Sequence, residues 1–304
     1  MRTLIGFEWR RLHRSGFAWG LPVLAIVLVG LFFWFSQVGV DQYRQELLNH
    51  IQSNDEILSQ LIGGYRQTIA DDLETADRKA EAKKDMALAV PIGDALDAQQ
   101  QAVEDRSTPR YLRAVIAANT RTIAFDNALH RVLLQDHHTL TAQTKLYQTM
   151  LARGWALEDT HYTTQPVGFL VSWQSWLAQP LAVLLGVALL STTWVTALFT
   201  NNADLMATTV QPWRRWALAN WFWAVLSWLA FLTLSNAAGW LAGQWLGTPL
   251  LSGTTPWHAI VPGTGQSYWI VWVQEIGISL LWFIPMYGIL LLVTTYAEKW
   301  GRQR

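Results

Sequence analysis

Four long stretches of the chain are built almost entirely from apolar residues. They cover 17–37, 168–200, 216–246 and 269–297, and the charged residue among them is Glu275. A helix needs roughly 20 apolar residues to cross about 30 Å of hydrocarbon. The lengths therefore predict four transmembrane helices.

The second apolar stretch, 168–200, is too long for one upright crossing. Pro180 is predicted to divide it into an interfacial segment, which carries Trp173 and Trp176, and a transmembrane helix that reaches residue 200. Proline has no backbone N–H to continue a helix, so a boundary at this position is favoured.

Residues 38–167, between the first two apolar stretches, are polar with apolar positions at helical spacing. These positions predict two helical stretches, the first running on from residue 41 and the second from Ser107 to about Arg153. Gly63–Gly64 marks a weak point of the first stretch, and the sequence AVPIGD at 89–94 is predicted to break it. We expect a helical hairpin or small bundle.

The remaining segments are short. The predicted fold is an all-α integral membrane protein with an amphipathic surface helix at its N-terminus. Its predicted parts are 1–16, amphipathic helix; 17–37, transmembrane helix; 38–167, helical domain; 168–200, interfacial segment plus transmembrane helix; 201–215, loop; 216–246, transmembrane helix; 247–268, loop; 269–297, transmembrane helix; and 298–304, tail.

Charge fixes the expected orientation. The formal net charge is zero and only 14% of residues are charged, which gives no reason to expect nucleic acid as a partner. Most charges lie in 41–166, whereas every tryptophan except Trp155 lies outside that range. With four spans, all Lys and Arg outside 41–166 fall on one side, which the positive-inside rule makes cytoplasmic. Both termini are therefore predicted on the cytoplasmic side of a cell membrane, and 38–167 on the outer side. The protein is predicted to be bacterial.

Known catalytic motifs are absent from the sequence. It contains no cysteine, which excludes thiol catalysis and thiolate metal sites, and no GxxxxGK[ST] loop, so nucleotide hydrolysis by a phosphate loop is not expected. The HExxH and GxSxG motifs are absent as well. The segment HRVLLQDHH would place His130 and His137 on nearly one face if it were helical. A metal site there is one reading, but solvated histidines are favoured and no metal is predicted.

Polar residues at the membrane are the candidates for function, because burying them in lipid is expensive. Asn220, Asn236, Gln274 and Glu275 lie within the third and fourth apolar stretches and are candidates for interhelical contacts or a path. For Glu275, snorkelling to the outer headgroups is favoured over a partner helix or a path. Headgroup anchors on the inner side are predicted from the basic residues that flank the spans: Arg10, Arg11, Arg14, Arg214 and Arg215.

The stretch FTNNADLMATTVQPWRR, from Phe199 to Arg215, resembles a segment of type-2 ABC exporter permeases. In that family the segment joins the second and third spans and ends in a QPxRR-like sequence. The N-terminal FEWRRLHR is similar to the family's opening surface helix, and a large insertion after the first span matches one branch of the family. Two features depart from the pattern: Asn201–Asn202 replace the usual acidic pair, and the family normally has six spans.

This resemblance implies a membrane-spanning permease subunit that exports a peptide, lipid or drug. ATP and Mg²⁺ would bind a separate ABC ATPase subunit, so the resemblance implies that this chain is not an enzyme and holds no cofactor itself. A second permease subunit would complete the transporter. By resemblance, the loop docks on the ATPase as a coupling helix through the following residues: Asn201, Asn202, Asp204, Leu205, Thr208, Gln211 and Pro212. The main alternative is a membrane-anchored sensor or accessory protein whose outer helical domain binds a ligand or partner. A third alternative is an unrelated integral-membrane enzyme that lacks a recognisable motif.

Overall fold

The computed structural model describes residues 17–130, 132–159, 162–199, 213–261 and 264–301. Within them the chain is helical, with no strand. The helices are α1 (Phe17–Ala70), α2 (Ala76–Glu104), α3 (Thr108–Leu129), α4 (His137–Arg153), α5 (Pro166–Leu177), α6 (Pro180–Phe199), α7 (Trp213–Leu246) and α8 (Tyr268–Gly301). The predicted all-helical fold is confirmed over these residues.

Three of these helices, α1, α7 and α8, are long and apolar enough to cross a membrane. A fourth candidate is the pair α5 and α6, which are bent by 72° relative to each other at a short break. Proline begins α6 at position 180, so the division that the sequence predicted is confirmed. The chain therefore has three to four helices suited to a multi-pass membrane protein.

The described chain divides into two compact units. The apolar unit contains residues 17–36, 164–247 and 257–301, and the polar unit contains 37–163 and 248–256. Helix α1 contributes residues to both. Nothing in the sequence pattern indicated that 248–256, which lies between two apolar helices, belongs to the polar unit.

The core of the apolar unit is aromatic. Trp173 is completely buried and stacks on Trp176 with ring centroids 5.3 Å apart. Trp228 stacks between Phe231, at 5.4 Å, and Phe283, at 4.9 Å. Such contacts add about 0.5–1.5 kcal/mol per pair beyond area burial. Trp173 lies in the segment predicted to be interfacial, and its depth relative to a membrane stays a prediction.

Helices α6 and α7 approach closely at one glycine. A Cβ atom built on Gly186 would lie 2.4 Å from Cζ3 of Trp228, a separation that real Cβ atoms do not show. The absence of a side chain at Gly186 is therefore what allows the Trp228 ring to lie against α6.

The polar unit pairs α2 with α3 and α3 with α4. The predicted break at 89–94 is wrong, because α2 continues through Pro91. Proline in a helix interior costs roughly 3 kcal/mol. Burial of Ala89, Ile92 and Ala95 on either side of the proline offsets this cost, so tertiary packing overrides local propensity here. Helix α1 likewise continues through Gly63–Gly64.

The predicted single helix from Ser107 to Arg153 is also wrong, because it is interrupted between Leu129 and His137. His130 ends α3 in the left-handed conformation, with φ of 52°. Asp136 then caps α4 by accepting a hydrogen bond from the Thr139 amide at 2.9 Å. A carboxylate at this position satisfies a free N–H of the first turn, and this favours starting a new helix over continuing the old one.

Candidate functional site

A series of polar contacts joins α7 to α8 inside the apolar unit. The Tyr287 hydroxyl donates to Asn220 Oδ1 at 2.6 Å, and Trp228 Nε1 donates to Ser279 Oγ at 3.2 Å. The residue number rises along α7 as it falls along α8, so the helices run antiparallel. Interhelical hydrogen bonds of this kind stabilise membrane helix pairs and fix their register.

The third contact in this series extends to a third helix. Asn236 Oδ1 accepts a hydrogen bond from Trp272 Nε1 at 3.1 Å, and Asn236 Nδ2 donates to Gln174 Oε1 at 3.2 Å. Gln174 lies on α5, Asn236 on α7 and Trp272 on α8. One asparagine side chain therefore links three helices of the apolar unit through neutral groups.

Two donors beside this link have no acceptor. Gln174 Nε2 and Trp173 Nε1 are both buried and have no hydrogen-bond partner among the described residues. An unpaired buried donor costs about 1–3 kcal/mol. Gln174 is thus fully buried in the apolar unit while one of its polar atoms has no partner among the described residues. The sequence did offer a signal for it, since this glutamine interrupts the apolar run 168–200.

The four intramembrane residues predicted from sequence are not brought together as one site. Asn220 and Asn236 face neighbouring helices, as described above. Gln274 is exposed and Glu275 is half-buried on α8. Neither of these two makes a hydrogen bond or ion pair with another described residue.

The predicted coupling residues lie outside the described part of the chain: Asn201, Asn202, Asp204, Leu205, Thr208, Gln211 and Pro212. The same holds for Arg10, Arg11 and Arg14. Arg214 and Arg215 belong to the first turn of α7, with side chains that are not described. Their predicted roles stay predictions.

The histidine segment is not one helical face. His130 ends α3 and His137 begins α4, where His137 Nε2 lies 3.5 Å from Asp126 Oδ2. Across the described ranges, no group of three or more His, Cys, Asp or Glu side chains is placed to hold a metal ion.

A buried carboxyl in the polar unit was missed by sequence reasoning. Glu158 is 8% exposed and accepts hydrogen bonds from two hydroxyls: Thr163 Oγ1 at 2.8 Å and Thr255 Oγ1 at 2.5 Å. Burial raises its pKa from 4.5 to about 7, and the two hydroxyls oppose this shift in part. Thr255 is distant from Glu158 in sequence, so no local sequence pattern predicts the contact.

Backbone contacts also hold residues 248–256 in place within the polar unit. The Ser252 amide donates to the Arg106 carbonyl at 2.6 Å, and Trp155 forms an isolated parallel bridge with Thr254. Gly253, with φ of 129°, lies where a Cβ would come within 3.2 Å of the Ala156 Cβ. A side chain would be strained there, which explains the glycine.

Comparisons of the chain with protein-family models, with curated proteins and with solved structures found no match.

Proposed function

We propose that this chain is the membrane-spanning permease subunit of an ABC-type exporter. A separate ATPase subunit would hydrolyse ATP, and a second permease subunit would complete the transport path. The observation that carries this proposal is the resemblance of 199–215, between the second and third apolar stretches, to the coupling segment of type-2 exporter permeases. The three to four membrane-length helices are compatible with it.

In this mechanism the loop 201–212 transmits ATP-driven closure of the ATPase dimer to the helices that flank it. Those helices are α6 and α7, which come close at Gly186 and Trp228. Movement of packed helices as rigid bodies is a common means of switching access in transporters. The hydrogen bonds from α7 to α5 and α8 would cause these helices to move with α7 as one body.

The test compares two charge reversals. Asp204→Arg places a cation in the proposed docking surface, where like-charge juxtaposition can cost several kcal/mol. Asp72→Arg is the matched control, because Asp72 is exposed in the turn between α1 and α2. We expect Asp204→Arg to lose co-purification of the ATPase and export while membrane abundance stays normal, and Asp72→Arg to retain all three. Retention of the ATPase and of transport-linked hydrolysis by Asp204→Arg would refute the coupling role.

Topology provides an independent check, since the natural chain has no cysteine. A cysteine at Ala80 should react with a membrane-impermeant maleimide from outside intact cells, and one at Thr209 should not. Outside labelling at Thr209 would reverse the proposed orientation and remove the loop from the side where ATP is available.

The alternative function, a membrane-anchored sensor or accessory protein, is favoured by one feature of the polar unit. An open groove of about 550 Å³ lies between α2 and α3, with Ala98 and Ala102 on one wall and Arg113 on the other. The lining also contains two carboxylates, Asp94 and Asp105, of which Asp105 pairs with Arg110 at 2.9 Å. Arg113 makes no hydrogen bond or ion pair with any described residue, so its guanidinium is the group in this groove that could bind an anionic ligand. Under the exporter proposal, Arg113→Glu leaves ATPase binding and coupled hydrolysis unchanged. If it abolishes a response while no ATPase partner is recovered from the wild type, the sensor function is favoured instead.

A further inference from the structure

The buried carboxyl of Glu158 joins two pieces of the polar unit that are far apart in sequence. One piece follows α4, with described residues 155–159 and 162–163, and the other is 248–256, which lies between α7 and α8 in the sequence. Each oxygen of the carboxyl has its own hydroxyl partner, Thr163 on the first piece and Thr255 on the second. All three side chains are buried.

We propose that Glu158 is a proton-operated latch that holds 248–256 against the rest of the polar unit when it is neutral and loosens when it is ionised. This inference is independent of the exporter proposal, because it rests on contacts within the polar unit.

The chemistry of the carboxyl gives the direction of the effect. A neutral carboxylic acid can donate to one threonine oxygen and accept from the other hydroxyl, so both partners are satisfied without buried charge. Loss of the proton leaves a carboxylate in a site of low dielectric, which is costly unless a cation compensates. The raised pKa of Glu158, about 7, is the expected sign of this imbalance.

Among the described residues, neither piece places a cation against the Glu158 carboxyl. Residues 248–256 have no ionisable side chain. Beside Glu158 on the other piece, the Arg153 guanidinium lies 4.9 Å from the ring centroid of Trp155, and Asp159 accepts from the Tyr162 amide. Near the Arg106 carbonyl, Arg110 pairs with Asp105 at 2.9 Å. Among the described residues, the causes of the pKa shift are burial and the two threonines, with no charged group contributing.

Opening would break the contacts that hold 248–256 against the rest of the polar unit. They are the hydrogen bond of the Ser252 amide to Arg106, the bridge of Thr254 to Trp155, and the hydroxyl of Thr255 on Glu158 itself. Leu250 and Leu251 in this segment are buried, so opening would expose apolar surface. Loosening is therefore a measurable local event.

Amide hydrogen exchange on the full chain in detergent or nanodiscs measures this opening. Exchange of the peptide 250–256 is followed from pH 5.5 to 8 and corrected for the intrinsic pH dependence of exchange. If Glu158 regains its ordinary pKa of 4.5 on opening, the opening constant should rise about 30-fold over this range, levelling off above pH 7. Exchange of α3 serves as the internal reference and should not change.

Two variants isolate the carboxyl. Glu158→Gln keeps the shape and can still donate and accept, so its protection should be independent of pH and close to that of the wild type at pH 5.5. His161, which lies outside the described residues, is close to Glu158 in sequence, and histidine side chains ordinarily titrate in this range. His161→Gln should retain the wild-type pH dependence.

Three results would overturn the latch: a wild-type opening constant that does not change with pH, a pH dependence that survives in Glu158→Gln, or one that disappears in His161→Gln. The first needs no variant, so the proposal can fail even if Glu158→Gln does not fold. A Leu251→Cys variant gives a second measurement, with its maleimide labelling rate divided by that of Ala80→Cys, whose position is exposed. That ratio should rise with pH and become constant when Glu158→Gln is added.

Discussion

Both units of this protein bury amide and hydroxyl side chains, but among the described residues the polar unit alone also buries carboxyls. Among the described residues of the apolar unit, the buried polar side chains are amides and hydroxyls such as Gln174, Asn220 and Ser279. The polar unit buries two carboxyls, Asp126 and Glu158. The apolar unit thus pairs neutral polar groups across its helices. The polar unit, which carries most of the charged residues, also encloses groups that can ionise.

The difference has a physical consequence. Neutral pairs such as Tyr287 with Asn220 have no charge to desolvate and do not respond to pH in the physiological range. A buried carboxyl without a cation makes stability depend on pH. We therefore expect the stability of the apolar unit to come from packing and to be independent of pH. The stability of the polar unit should change with pH.

The largest expected effect is in the apolar core. Trp228→Ala removes a ring that is 4% exposed and stacked between Phe231 and Phe283, so it should lower the free energy of unfolding by about 3–5 kcal/mol at every pH. Trp245→Ala is the control, because that ring is 79% exposed, and its effect should be within about 0.5 kcal/mol. Denaturant titration in micelles measures both. Equal effects would mean that the aromatic stack does not carry the stability of this unit.

The next effect belongs to the polar unit. The folded state holds a proton on Glu158 that the unfolded chain releases, so raising the pH from 4.5 towards 7 favours unfolding. Above pH 7 the folded state also releases the proton and the effect levels off. Between pH 5 and pH 8 we expect the free energy of unfolding to fall by about 2–3 kcal/mol from this group.

The control for that pH dependence is Glu158→Gln, which should lose this contribution. The measurement is chemical unfolding followed by a probe in the polar unit at each pH. A wild type whose stability rises between pH 5 and pH 8 would contradict the assigned direction.

A smaller effect tests the close approach of α6 and α7. Gly186→Ala would force its Cβ against Trp228, whose ring is held by its stacking partners, and should cost about 1–3 kcal/mol. Gly277→Ala meets no atom within 4 Å and should gain up to about 1 kcal/mol from helix propensity. Thermal unfolding of the two variants gives the comparison. A neutral Gly186→Ala would show that the two helices can separate at no cost.

The smallest effect concerns the three-helix link. Asn236→Leu leaves the Trp272 N–H and Gln174 Oε1 without their partner and should cost about 0.6–1.7 kcal/mol, the range found for hydrogen bonds between membrane helices. Thr233→Val, which removes a hydroxyl bonded to its own helix, should cost less. If both variants are equal at pH 5 and at pH 8, the link contributes no interhelical stability.

Sequence patterns predicted the parts of the fold that depend on residue type alone. Long apolar runs and the position of Pro180 were sufficient for the membrane-length helices and for the break between α5 and α6, because both follow from backbone and solvent constraints. Local signals failed where distant packing decided the outcome. Pro91 was expected to end a helix, but residues on α2 on both sides of it are buried.

The candidate sites show the same limit. Asn236 was identified because an amide in an apolar helix needs a partner, yet the identity of that partner, Gln174 on α5, depends on how the helices pack. Glu158 was not identified at all, since a single glutamate after a helix is usually solvated. It is buried, and one of its two hydroxyl partners, Thr255, is distant in sequence.

The division of the polar unit into 37–163 and 248–256 constrains the order of events during synthesis. Residues 164–247 must be translated between the two pieces, which takes several seconds at roughly 5–20 residues per second. Throughout that interval Thr255 does not yet exist, and Glu158 has no partner for one of its oxygens. The nascent polar unit therefore stays incomplete, with this hydrogen bond of Glu158 not yet formed, until α7 has been synthesised and translation has passed residue 256.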